Sequence, residues 1–184
     1  MTDTYTIPGH KAGTWTIDPS HSQVSFSVRH LLISKVKGKF EKFDATFVTG
    51  ESPLDTQLTA TADVESINTG DANRDGHLRT NDFFNAPEFP TITFVSKSVV
   101  PNKDDLAVTG DLTLKGVTKE VTFTVEFGGF GNDLYGNYKL GLTAKTVINR
   151  NDFGVSWNAP LEAGGVLVGD DVTITIDLQA SLQA

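Results

Sequence analysis

QVSFSVRH, residues 23–30, alternates without a break: Val24, Phe26, Val28 and His30 fall on one face of an extended chain, and Ser25, Ser27 and Arg29 on the other. Successive strand side chains point to opposite sides, so the pattern describes a sheet with one apolar and one polar face. The alternation returns throughout the chain. A short strand at 14–17 ends at Asp18-Pro19, and Phe43, Ala45 and Phe47 follow the basic stretch Lys35 to Lys42. Leu58, Ala60 and Ala62 repeat the pattern, then Leu106, Val108 and Leu112, then Val121, Phe123 and Val125. Tyr138, Leu140 and Leu142, and finally Val172, Ile174 and Ile176, complete the set. About eight to ten short strands with turn residues between them and no long helical period predict an all-β, antiparallel fold. A sandwich and a barrel both fit, and closure into a barrel removes the exposed edges. A barrel of about eight strands is wide enough to hold one small ligand.

The alternation stops between Val64 and Phe94, VESINTGDANRDGHLRTNDFFNAPEFPTITF. Asp71 is a candidate cap for a short helix, because its carboxylate can accept the free N–H groups of a first turn. Gly76 weakens that helix, which limits it to about two turns. A helical insert around residues 71–84 is therefore expected. Leu78, Phe83 and Phe84 supply its apolar contacts, Arg74, His77 and Arg79 remain for polar work, and Pro87 and Pro90 end it.

The chain has 184 residues, which suits one domain with a core of its own. Residues 1–12, polar and carrying Pro8 and Gly9, read as a flexible arm, and 13–184 as the single domain. A formal net charge of -8 argues against nucleic acid or an anionic membrane surface as the main partner. With no cysteine, disulfides, thiolate metal sites and cysteine catalysis are excluded. The opening MTDTYTIPGHKAG has neither a basic start nor an apolar run, and no stretch reaches transmembrane length. A cytoplasmic location is the expectation from these residues.

Candidate chemistry is sparse. The four histidines, His10, His21, His30 and His77, lack the spacing of a converging metal site, so no metal and no cofactor are expected. There is no nucleophile elbow, and GFGNDLYG lacks the lysine and following helix of a phosphate loop, which leaves a turn. No catalytic residue is therefore assigned. Lys35, Lys37, Lys39 and Lys42 form a basic cluster whose simplest reading is a solvated edge. Arg79 and Arg150 offer planar donor forks suited to a polar head group, or to a neighbouring aspartate.

Several blocks together carry a resemblance: TWTIDPSHSQVSFSVRHL, GKFEKFDATF, NRDGHLRTNDFFNAPEFPTITF, VTGDLTLKGVTKEVTF and INRNDFGVSW, in that order from about Gly13 to Leu182. In these the chain resembles the YceI-like family. The resemblance implies an extended, eight-stranded, lipocalin-like antiparallel barrel around an elongated apolar cavity. It also implies binding of a polyisoprenoid, an isoprenoid quinone or a similar long-chain lipid for transport, storage or sequestration, without catalysis. Many members are exported to the periplasm, and a homodimer is left open. On that frame strand parity selects Val24, Phe26, Val28, Phe43, Phe47, Phe94, Phe123, Leu142 and Trp157 as cavity lining, with Trp15 and Phe84 closing an end. His30, Arg79 and Asn81 are the candidates for a polar head group. An enzyme acting on such a lipid, and a ligand-free stress-related interaction protein, are the alternatives.

Overall fold

The computed structural model describes residues 5–31, 33–159 and 167–183. Within them the chain forms β1 (Gly13–Ile17), β2 (Gln23–His30), β3 (Ser34–Phe40), β4 (Phe43–Thr49), β5 (Gln57–Asp63) and β6 (Ile67–Asn68). One helix, α1 (Ala72–Leu78), precedes β7 (Thr91–Asn102), β8 (Asp105–Leu114), β9 (Val117–Asn132), β10 (Tyr138–Asn149) and β11 (Val168–Leu182). All pairings are antiparallel, in the order β1-β4-β5-β7-β8-β9-β10-β11, and β1 pairs back onto β11 to close an eight-stranded barrel. No helix among the described residues is long and apolar enough to cross a membrane.

The barrel is extended because β11 changes partner along its length. Ala180–Leu182 pair with β1, whereas Val168–Asp177 pair with β2. Strands β2, β3 and β6 thus continue the wall beyond the point where β1 ends. The gap this leaves between β6 and β7 is filled by the segment that interrupts the alternation. Val64 N donates to Pro90 O, and Asp63 N to Lys42 O, at 2.9 Å each, which anchors both ends of the segment to the strands.

Asp71 caps α1 as its chemistry predicts, accepting from Asn73 N and Arg74 N at 3.0 Å each. The helix stops at Leu78, earlier than the expected 84, so Phe83 and Phe84 stand in turns beyond it. The run Thr80-Asn81-Asp82 has low helix propensity, and Asp82 bonds back to His77 at 2.8 Å, which stabilises the turn instead. Asp75 is buried within the helix and accepts from both the N–H and the hydroxyl of Thr69, which ties α1 to the end of β6.

Two glycines make close approaches possible. Gly116 sits at φ +75 in the β8–β9 turn, and a Cβ there would lie 2.6 Å from the Phe89 ring. Gly38 in β3 leaves room for Phe26, whose ring tip would stand 2.4 Å from an added Cβ.

Residues 5–12, read from the sequence as a loose arm, lie along the far end of the barrel. Thr49 Oγ1 donates to Lys11 O at 2.7 Å, His10 Nε2 meets Gly50 O at 2.8 Å, and Lys11 Nζ lies 3.9 Å above the Tyr138 ring.

Near the same end Asp18 accepts from Lys139 Nζ at 2.8 Å, a mostly buried ion pair. The hydrogen bond from Lys139, with those from Ser20 and His21, holds the Asp18 carboxyl well below the usual carboxylate range. A depressed folded-state value means that the stabilisation is present above the ordinary value near pH 4 and is lost as pH falls towards the folded-state value. The stability advantage of the wild type over Asp18→Asn is therefore expected to shrink steadily below about pH 4, as read from urea unfolding at a series of pH values. A constant difference across that window would show that Lys139 contributes nothing through charge.

Candidate functional site

The barrel encloses a cavity of about 590 Å³ whose wall is the inward face of nearly every strand. Val168 and Leu178 both line it, and they are separated along β11 by roughly 33 Å of extended chain. The cavity is therefore long and narrow. Its wall alternates bulk with gaps: Ala45, Ala60 and Ala62 stand in β4 and β5, with Ala45 paired to Ala60, while Phe94 and Phe123 meet edge to face at 5.1 Å.

Of the residues that parity selects, Val24, Phe26, Val28, Phe43, Phe47, Phe94, Phe123, Leu142 and Trp157 line the cavity, and so does Phe84. Phe84 packs edge-on against Phe40 at 6.2 Å and seals the wall where the segment between β6 and β7 replaces a strand. Trp15 is not in the lining. It is fully buried, with its Nε1 donating to Thr49 Oγ1 at 2.9 Å and its ring stacked on Phe47 at 6.0 Å. A buried indole needs a partner for its N–H, and that partner holds Trp15 in the end layer of the core.

The polar candidates divide. His30 lies on the wall, half-buried, and its ring takes part in no hydrogen bond among the described residues. Arg79 does not line the cavity. Its Nε donates to Glu65 O and its Nη2 to Ile67 O, at 3.2 Å each, and it also faces the Glu65 carboxylate at 3.5 Å. It clasps the chain around β6 through Nε and Nη2. Asn81 is exposed on the outer surface, where its carbonyl accepts from Lys115 Nζ at 2.7 Å.

Four residues of α1 reach the wall: Asn73, Arg74, His77 and Leu78. Arg74 has its Nε and Nη2 on Thr69 at 2.7 and 2.8 Å. The His77 ring meets Trp157 at 4.8 Å and Phe83 at 5.0 Å, both edge-on. This aromatic cluster forms one rim of the cavity, where Asn73 and Arg74 both line it and stand in solvent. Helical spacing puts Arg74 and His77 on one face of α1, a signal that was legible once the cap was recognised.

Arg150, read from sequence as a possible head-group donor, is buried in this end of the wall. Its Nε donates to Gly169 O at 2.8 Å, Nη1 to Val155 O and Trp157 O at 2.7 and 2.9 Å, and Nη2 to Val168 O at 3.2 Å. No carboxylate among the described residues is within ion-pair distance of it. Burial pulls its pKa below the ordinary arginine value, with nearby Asp170 opposing, yet a guanidinium stays charged near neutral pH. This end of an otherwise apolar tunnel thus carries positive charge, with the Arg150 donors on backbone carbonyls and the Arg74 Nε and Nη2 on Thr69.

An eight-stranded barrel wrapped around one elongated apolar cavity defines a lipocalin-like barrel protein. The YceI-like domain model matches residues 15–180, and the chain belongs to that family. A UPF0312 protein of Staphylococcus aureus (strain N315) is 43% identical over 171 residues, covering 91% of this chain and 97% of that protein. The crystal structure of Burkholderia cenocepacia BcnA superposes with a TM-score of 0.76 at 27% identity, covering 89% of this chain and 98% of that one. The Campylobacter jejuni YCEI protein gives 0.72 at 27% identity, covering 100% and 97%. A polyisoprenoid binding domain from Saccharophagus degradans gives 0.66 at 15% identity, covering 94% and 100%, a likeness of fold alone.

Proposed function

We propose that this protein binds one long-chain apolar lipid, of the polyisoprenoid or isoprenoid-quinone kind, along the axis of its barrel, and carries or stores it without chemical turnover. The observation that carries this reading is the continuous apolar wall, long in one direction and bordered by Arg74 and Arg150 at the α1 end. A protein of similar fold, from Saccharophagus degradans, is a polyisoprenoid binding domain, which agrees with the shape. Burial of apolar carbon gives about 0.8 kcal/mol per methylene, so a dozen groups supply roughly 10 kcal/mol before ordering costs. Affinity on that scale needs few polar contacts.

Native mass spectrometry of gently purified protein, followed by organic extraction, tests the reading. A co-purifying long-chain species of fixed stoichiometry is expected, and protein that neither retains nor takes up such a lipid overturns it. Phe84→Ala is expected to weaken retention about tenfold, the scale of one lost aromatic contact. Arg74→Ala changes it less than about threefold, because its Nε and Nη2 are held by Thr69 and the side chain stands in solvent. Equal retention by both variants in a lipid-exchange assay counts against Phe84 as a seal.

A further inference from the structure

The β2–β3 hairpin carries charge opposite to that of the molecule as a whole. The formal net charge is -8, yet Arg29, Lys35, Lys37 and Lys39 all stand exposed on this hairpin. Its register sets Arg29 beside Lys35, Ser27 beside Lys37 and Ser25 beside Lys39. Strand parity sets these cations and hydroxyls on the face opposite Val36 and Phe40, with Ser25 and Arg29 also bordering the cavity. No acidic residue occurs between positions 24 and 40. The acidic neighbours are Glu41, 3.9 Å from Lys39, and Asp170 and Asp171 in the bulge of β11 beside β2, with Asp170 engaged by Asn151 at 2.9 Å. At the tip Ile33 is 84% exposed.

Lysines on an open strand edge also block edge-to-edge pairing, and β3 meets β6 only through Lys39 and Phe40. Edge protection accounts for the lysines of β3. It gives no reason for Arg29 on the covered strand β2, or for an isoleucine left in water at the turn. A basic face with an exposed apolar tip suits an anionic bilayer, where cations gather at the headgroups and the apolar side chain enters the interface. His30, at the base of the tip, lines the cavity, so docking there brings the cavity rim to the lipid.

We propose that the β2–β3 hairpin docks this protein on anionic lipid bilayers, with Ile33 entering the interface and Arg29, Lys35, Lys37 and Lys39 meeting lipid phosphates. Docking stands independently of the cavity's contents, whereas its use in loading a lipid rests on the function proposed above.

Sedimentation of the full chain with phosphatidylglycerol vesicles, against phosphatidylcholine vesicles, tests the proposal. Binding to the anionic vesicles that weakens with added salt is expected. Lys35→Glu/Lys37→Glu/Lys39→Glu lowers the partition coefficient at least about a hundredfold, taking roughly fivefold for each cation lost. Ile33→Ser lowers it about tenfold. Leu134→Ser/Tyr135→Ser, which alters the exposed tip of the β9–β10 hairpin, leaves it unchanged. No preference for phosphatidylglycerol, undiminished binding by the triple variant, or loss of binding with the Leu134/Tyr135 variant overturns the proposal. Sedimentation reads docking whether or not a lipid is recovered from the cavity, so the two readings fail separately.

Discussion

Arg150→Met is expected to destabilise the fold by about 3–5 kcal/mol, measured as a lowered midpoint in urea unfolding. The substitution keeps the aliphatic stem and removes the guanidinium, leaving the carbonyls of Gly169, Val155 and Trp157 without this donor, while Val168 O keeps the bond from Asn158 Nδ2 at 2.8 Å. Each buried carbonyl left unpaired costs about 1–3 kcal/mol, and local relaxation with entry of water recovers part of the sum. Arg150→Lys is expected to lose most of the same stability, because three donors on one nitrogen cannot reach carbonyls spread around a planar fork. Full stability in the lysine variant would show that charge, and not the fork, is what the site requires. Trp157 and Val168 also form part of the cavity rim, so both variants should release a bound lipid faster in an exchange assay.

The role of Arg150 also marks where sequence reading reaches its limit. Parity is a local property, and the strand faces that line the cavity were legible because each depends only on the alternation of its own strand. The N-terminal cap of α1 was legible for the same reason, since Asp71 serves the N–H groups two and three residues away. Residues whose partners are distant in sequence were not. Arg79 has the donor fork of a head-group ligand, yet its oxygen acceptors at 65 and 67 reach it only through the path of the chain around β6. Arg150 finds two of its four acceptors at 168 and 169 for a similar reason. Trp15 has inward parity, but parity does not reveal which layer of a barrel is cavity and which is packed end. Closure by β1 on β11 joins the two ends of the chain, so no local pattern records it.

Ala60→Phe is expected to move binding and stability in opposite directions, which makes it the sharpest test of whether the cavity is functional. Ala60 lines the cavity and stands between Ala45 and Phe94 across the sheet. A phenyl ring there projects into the tunnel and shortens the length that a lipid chain can occupy. Filling a cavity commonly adds about 0.5–2 kcal/mol. The gain is on offer because, at about 24 cal/mol per Å³, a volume of about 590 Å³ represents on the order of 10 kcal/mol of side-chain packing forgone. That sum rivals the whole net stability of a typical domain, and small residues such as Ala45, Ala60 and Ala62 leave part of that space unfilled. Lipid retention by Ala60→Phe should fall at least about tenfold, the loss of two or more buried methylenes, while the unfolding midpoint holds or rises. A variant that keeps its lipid but loses about 2 kcal/mol or more would place Ala60 in tightly packed core, where added bulk strains the structure, and the cavity would then have to end short of β5.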